Sequence, residues 1–145
     1  MVDVSSKPVS SRSAVACGWI KLKRETIRLI QARKVEKGDP LEAAKLAGIM
    51  AAKNTWNTLP LCHQIPLKSV AVDVQLTSGK VVVTCRVKAD YVTGVEMEAI
   101  HATMVALLTV WDMTKQYEKN EAGEYPSTEI GGVRVLSKTK TSMGD

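Results

Sequence analysis

Two glutamates flank a methionine in TGVEMEAI, residues 93–100, and the run Ala99–Met113 that follows is almost wholly apolar. Carboxylates there have an ordinary structural use. Near a helix N-terminus they offset the positive end of the macrodipole and bond its free N–H groups. They also have a chemical use, as acceptors for the ring N–H groups of a heterocyclic ligand. Other places hold polar residues that the local pattern does not require. Lys37, in Lys37-Gly38-Asp39, stands just ahead of a helix signal. Leu61-Cys62-His63 sits in LPLCHQIPL, bracketed by prolines, and a histidine in an ordered loop suits acid–base work or phosphate binding. Asp112 and Lys115 are three residues apart and so neighbours on one helix face. Arg134 and Lys138 lie around the last apolar run, and Arg12 near the start. Each has a plainer reading: a solvated lysine beside a helix cap, a hydrogen-bonded structural histidine, a surface ion pair. Asp112 ends a stretch without charge, which leads us to expect burial and a shifted pKa there, either a raised carboxylate or a lowered lysine.

The elements that would position these groups can be read from periodicity. Val15–Leu22 reads as a strand, and Arg24–Arg33 has Ile27, Leu29 and Ile30 at helical spacing. Asp39 is a good N-cap with Pro40 at the first helical position. In the helix that follows, Ala43, Ala44, Leu46, Ala47, Met50 and Ala51 suggest a face of mostly small residues for close packing. LPLCHQIPL is a loop. Val70–Leu76 alternates, Ser78-Gly79 turns, and Lys80–Ala89 returns as a hairpin partner. A long helix spans about Val95–Glu118, NEAGEYPS is a loop, and Gly132–Ser137 is a last strand, with the Lys-rich tail after it expected to be mobile. The order β-α-α-β-β-α-β indicates one α+β domain over residues 1–145, an antiparallel sheet with helices on one face. The long helix carries Met97, Ile100, Met104, Val105, Leu107, Leu108, Val110 and Trp111, more apolar surface than one sheet face covers. A second copy of the chain is the simplest cover.

Composition narrows the class. There are 145 residues, 45% hydrophobic and 24% charged, with no apolar run long enough to span a membrane and no signal-peptide pattern at MVDVSSKPVSSR, so the expected location is cytoplasmic. Cys17, Cys62 and Cys85 are scattered, which argues against a disulfide framework or a structural zinc site; Cys17 and Cys85 read as core filler. A net charge of +5 suits an anionic ligand, whether metabolite, polyphosphate or nucleic acid. Three Trp, three Tyr and no Phe, all dispersed, argue against single-strand binding by stacking. No Walker loop, GxGxxG or GxSxG motif is present, and Glu98 with His101 is too few ligands for a metal.

Several of these stretches, in this order, resemble the cyclic pyranopterin monophosphate synthase family of molybdenum cofactor biosynthesis: KGDPLEAAKLAGIMAAKNTW, LCHQIPL, TGVEMEAI, WDMTK and GGVRVLSK. The resemblance runs from MVDVS to the Ser137-Lys138 region. It implies a ferredoxin-like fold and the conversion of a cyclised dihydro-GTP, (8S)-3′,8-cyclo-7,8-dihydroguanosine 5′-triphosphate, into cyclic pyranopterin monophosphate and pyrophosphate. It implies no resident cofactor or protein-held metal, though a divalent cation such as Mg²⁺ could accompany the triphosphate, and an assembly built from dimers, usually a hexamer. By the same resemblance Asp112, Lys115 and Lys37 are the catalytic candidates. Leu61, Cys62, His63, Glu96, Met97, Glu98, Lys138 and Arg12 are the substrate-binding candidates. One departure is visible: the family commonly has proline directly after the histidine, where Gln64 stands here.

A rival of a different class is a basic α+β module that grips RNA or a nucleotide without chemistry. It would carry its basic residues on one sheet face, whereas an enzyme needs a concave pocket of mixed charge. A purely structural oligomer is a third. Helix geometry adds an expectation for the enzyme. Glu98 and Asp112 are fourteen residues apart, so their backbones lie about 21 Å apart along one stripe. Two such helices packed antiparallel would bring Glu98 of one chain near Asp112 of another, so that Lys37, Met97 and Glu98 come from one subunit and Asp112 and Lys115 from its neighbour.

Overall fold

The structure is a computed structural model that describes residues 1–144. The alternating runs close into a hairpin: β2 (Ser69–Leu76) pairs antiparallel with β3 (Lys80–Tyr91), from Ser69 opposite Lys88 to Leu76 opposite Val81. Thr77 holds the turn, its N–H and hydroxyl both donating to the Lys80 carbonyl, at 2.8 and 3.0 Å. Strand β1 (Ser10–Lys21) lies on the other side of β3, and β4 (Glu129–Ser142) outside β1, both antiparallel, giving the order β2-β3-β1-β4. With α1 (Arg24–Gln31), α2 (Pro40–Lys53), the single turn α3 (Thr55–Thr58) and α4 (Glu96–Glu118), this is the expected α+β arrangement in ferredoxin-like order, an antiparallel sheet with helices on one face.

Two boundaries differ from the periodicity. β1 begins at Ser10 rather than Val15, and β4 runs from Glu129 to Ser142, so the Lys-rich stretch expected to be mobile is strand. The reason is that Ser10–Ser13 and Thr139–Ser142 pair with each other through the backbone, which needs no apolar alternation. Arg12 and Lys138 are thereby fixed on adjacent strands.

The inward faces of β1 (Ala14, Ala16, Ile20) and β3 (Val81, Val83, Cys85, Val87, Ala89) meet Ala99, Ala102, Ala106, Leu107 and Val110 of α4. Burying one such Val, Leu or Ile contributes about 1.5–3 kcal/mol. Cys85 is core as expected, and burial pushes its thiol up to about 12. Cys17 is only half-buried, because its position in β1 places it on the sheet face away from the helices. The close packing expected of α2 is real: a methyl on Gly48 would stand 3.0 Å from Val72 and 3.2 Å from the Ala102 carbonyl. Leu46 and Met50, however, point outward, 67% and 55% exposed, beside the exposed Met97, Met104 and Leu108 of α4. The helical layer therefore presents an apolar outer stripe.

At its C-terminus α4 is tied down by Glu118, which is fully buried. Its carboxylate accepts from the Lys23 N–H at 3.2 and 3.1 Å, from the Thr26 hydroxyl, and from the Thr128 hydroxyl at 2.7 Å. This supplies the N-terminal cap of α1 that Lys23 itself does not provide.

Candidate active site

Helix α4 carries a cluster at each end. At its N-terminal end the loop after α3 and the 93–95 turn enclose a cavity of about 630 Å³, on whose wall Leu61, Cys62, His63, Glu96 and Met97 come together with Val2, Val4, Lys7 and Gly94. A smaller hollow of about 150 Å³ adjoins it, sharing Gly94 and Glu96 and adding Arg12, Lys138 and Lys140. Residues from the N-terminal stretch, the 61–63 loop, the start of α4 and the end of β4 are thus gathered in one place.

Glu96 is half-buried and takes the Lys138 ammonium at 2.8 Å. Burial alone would raise its pKa, but the Lys138 hydrogen bond, its own backbone N–H and the charges of Lys138 and Arg12 outweigh that and hold it below the usual range. Gly94 makes the contact possible, since a methyl there would stand 2.8 Å from the Glu96 carboxyl carbon. Arg12 donates to the Val92 carbonyl at 3.2 Å and keeps its Nε buried without a partner.

Glu98 sits behind the wall. It is 3% exposed, its Oε1 faces the Cys62 thiol at 4.0 Å, and its Oε2 is buried with no hydrogen-bond partner. Burial pushes its pKa up, partly offset by its own backbone N–H and helped by the nearby Glu96 charge. The Cys62 thiol is also pushed up, by burial first and by the Glu98 charge second. His63 bonds the Val2 carbonyl through Nε2 at 2.8 Å. A carbonyl only accepts, so Nε2 is the donor of this bond. Gln64 is exposed and lines a separate hollow with Trp56 and Pro66, which leaves the His63 bond intact.

The other cluster is at the C-terminal end of α4. Asp112 is bracketed by Lys115 Nζ at 3.0 Å on Oδ1 and Lys37 Nζ at 3.1 Å on Oδ2, and Lys37 also donates to the Asp112 carbonyl at 3.0 Å. Lys37 reaches α4 from a tight turn. Gly38 adopts φ +117, a conformation other residues rarely take, and the Asp39 side chain caps α2 through Leu41 N–H at 3.0 Å and Glu42 N–H at 3.2 Å.

The expectation of a buried Asp112 with a raised carboxylate or lowered lysine pKa is overturned within the chain. Asp112 is exposed, the hydrogen bonds from Lys115 and then Lys37 hold its carboxyl below the usual range, and Lys115 is pushed up by the same pair. The apolar neighbours in sequence turn toward the sheet and away from Asp112, so pairing rather than desolvation sets both groups. The raised carboxylate is Glu98 instead. The two clusters stay apart along α4, about 21 Å by its rise per residue. Arg134 is exposed on β4 and lines neither cavity.

Sequence reasoning missed the contribution of residues 1–9, of Gly94 and of Lys140. The MVDVS stretch already lay within the resemblance and was the available signal. Among the described residues no three His, Cys, Asp or Glu side chains converge as metal ligands, and no helix is long and apolar enough to cross a membrane.

The chain is similar to known proteins over nearly its whole length. Over 141 residues the chain is 52% identical to the probable cyclic pyranopterin monophosphate synthase of Sulfolobus acidocaldarius, covering 97% of this chain and 99% of that one. It is 54% identical to the protein of the same description from Sulfurisphaera tokodaii, covering 97% and 93%. Over 143 residues it is 48% identical to a probable cyclic pyranopterin monophosphate synthase accessory protein of Methanothermobacter thermautotrophicus, covering 99% and 90%. Residues 1–141 match the MoaC family, and the chain belongs to that family.

Proposed function

We propose that this chain is a cyclic pyranopterin monophosphate synthase of molybdenum cofactor biosynthesis, turning the 3′,8-cyclised dihydroguanosine triphosphate into cyclic pyranopterin monophosphate and pyrophosphate. The observation that carries the reading is the convergence of Leu61, Cys62, His63, Glu96 and Met97 on one cavity, with Arg12 and Lys138 in the hollow that joins it. This is the concave, mixed-charge pocket that separates an enzyme from a basic RNA-gripping module. Cationic side chains suit the triphosphate, and the carboxylates suit the N–H groups of a guanine-derived ring. A divalent cation, if one accompanies the triphosphate, would be held chiefly by the phosphates. Pyrophosphate release from the cyclised nucleotide is the test, and absence of release by folded protein would sink the reading.

In the proposed chemistry Lys115 begins as an ammonium, because its pairing with Asp112 stabilises the charged form. Its first role is then as a proton donor or phosphate anchor, with Asp112 holding it and Lys37 in place. The distance between the clusters supports a homodimer-based assembly in which one subunit supplies Cys62, His63, Met97 and Glu98 and its neighbour supplies Asp112 and Lys115, together with Lys37, which was expected on the Glu98 side but pairs with Asp112 of its own chain at 3.1 Å. The exposed Met97, Met104 and Leu108 stripe between them is the surface a second copy would cover. Mixing inactive Glu98→Ala and Asp112→Ala proteins after subunit exchange would restore partial turnover. Verified mixed dimers with no recovery would return both clusters to a single chain.

A further inference from the structure

Residues 1–9 lie across the cavity as a strap. The Val2 carbonyl takes the His63 Nε2–H at 2.8 Å, and Val2 and Val4 form part of the cavity wall. The strap then turns: Lys7 N–H donates to the Val4 carbonyl at 3.0 Å, and Ser5 N–H to Asp3 Oδ1 at 2.9 Å. The turn returns Lys7 to the same wall. Glu96 is the carboxylate on that wall, and it is already engaged by Lys138. Lys7 ion-pairs with no carboxylate among the described residues. The cavity therefore presents one ammonium that pairs with no carboxylate among the described residues.

We propose that Lys7 is a polyphosphate-binding, specificity-determining residue of this site, carried on a strap that exchanges its bond to His63 for contacts with the ligand. The proposal rests on the nucleotide-triphosphate reading above. His63 Nε2 carries one proton, and the Val2 carbonyl holds it. A ligand oxygen that takes that proton releases Val2. The turn that closes Val4 to Lys7 moves as a unit, so release at Val2 leaves Lys7 free to follow the phosphates. A charge-assisted contact of this kind offsets the lost backbone bond.

The test compares wild type, Lys7→Gln, Lys7→Arg and a distant control, Lys45→Gln, whose lysine is paired with Glu42. With the cyclised nucleotide, Lys7→Gln should raise KM about tenfold while kcat stays within about twofold. Inhibition by inorganic pyrophosphate should weaken by a similar factor, and Lys7→Arg should retain most of both. Unchanged KM and unchanged pyrophosphate inhibition in folded Lys7→Gln would overturn the role of Lys7. Calorimetric titration of inorganic pyrophosphate separates this from failure of the functional reading. If wild type turns nothing over yet binds pyrophosphate more tightly than Lys7→Gln, the synthase reading falls and the anion role stands. If wild type neither turns over nor binds pyrophosphate, both fall.

Discussion

Helix α4 buries a glutamate at each end and treats the two oppositely. Glu118 is surrounded by donors: a backbone N–H and a hydroxyl from the start of α1 and a second hydroxyl from Thr128 converge on its carboxylate. Glu98 is nearly as inaccessible but leaves one oxygen with no partner and the other against a thiol, a weak donor, at 4.0 Å. A satisfied buried carboxylate locks elements together; an orphaned one raises the free energy of the folded chain and is kept only where something else requires it. The contrast separates an end of the helix locked by hydrogen bonds from the end that stands behind the cavity wall. Asp112 and Lys115 complicate the division, since they sit near the structural end but in the open, paired to each other and to Lys37.

The sharpest way to break the contrast is Glu118→Ala, which strands the Lys23 N–H and the Thr26 and Thr128 hydroxyls at once. It should cost about 4 kcal/mol in chemical denaturation; a loss under about 1 kcal/mol would mean the network is not the anchor. Next in size is Lys115→Gln, expected to lower turnover by about 10²-fold or more with an unchanged melting temperature. A loss confined to KM would make Lys115 a phosphate anchor only. Gly94→Ala should come third. The added methyl collides with the flexible carboxylate end of Glu96, so that side chain must swing aside, at under about 1 kcal/mol of stability but with weaker substrate binding. Wild-type affinity in that variant would remove the Glu96–Lys138 pair from the site.

The smallest effect has the most distinctive sign. Because the folded pKa of Glu98 lies above its ordinary value of 4.5, the folded chain holds the proton more tightly than the unfolded one. Stability therefore falls as pH rises from about that value through the folded pKa. Glu98→Gln should remove this slope and melt slightly higher than wild type at neutral pH, the reverse of Glu118→Ala. Asp112 behaves in the opposite sense: its depressed pKa contributes stability that is lost only as pH falls below 3.8. Melting curves across pH for Glu98→Gln and Asp112→Asn read the two signs directly.

Much of the fold was legible. Alternation at Val70–Leu76 and Lys80–Ala89, the Asp39-Pro40 cap and the apolar run of α4 each follow from local physics, and each formed as read. The candidate site was legible only as types and order. Its residues match family motifs, but the lysine-rich edge of β4, with no apolar period, gave no sign of being strand, and so none of Lys138 standing beside Glu96.

By itself the sequence determined which segments become helix or strand, because periodicity, caps and turn residues act over a few residues. It also determined the family, because several motifs recur in order. Only the tertiary structure decided burial and pairing. Asp112 and Glu98 lie on the same helix and both adjoin apolar residues in sequence, yet one is exposed and paired and the other buried and orphaned. Burial and partnership depend on which face of the helix meets the sheet and on what distant strands and loops bring to it. Those are long-range contacts, which no local pattern encodes.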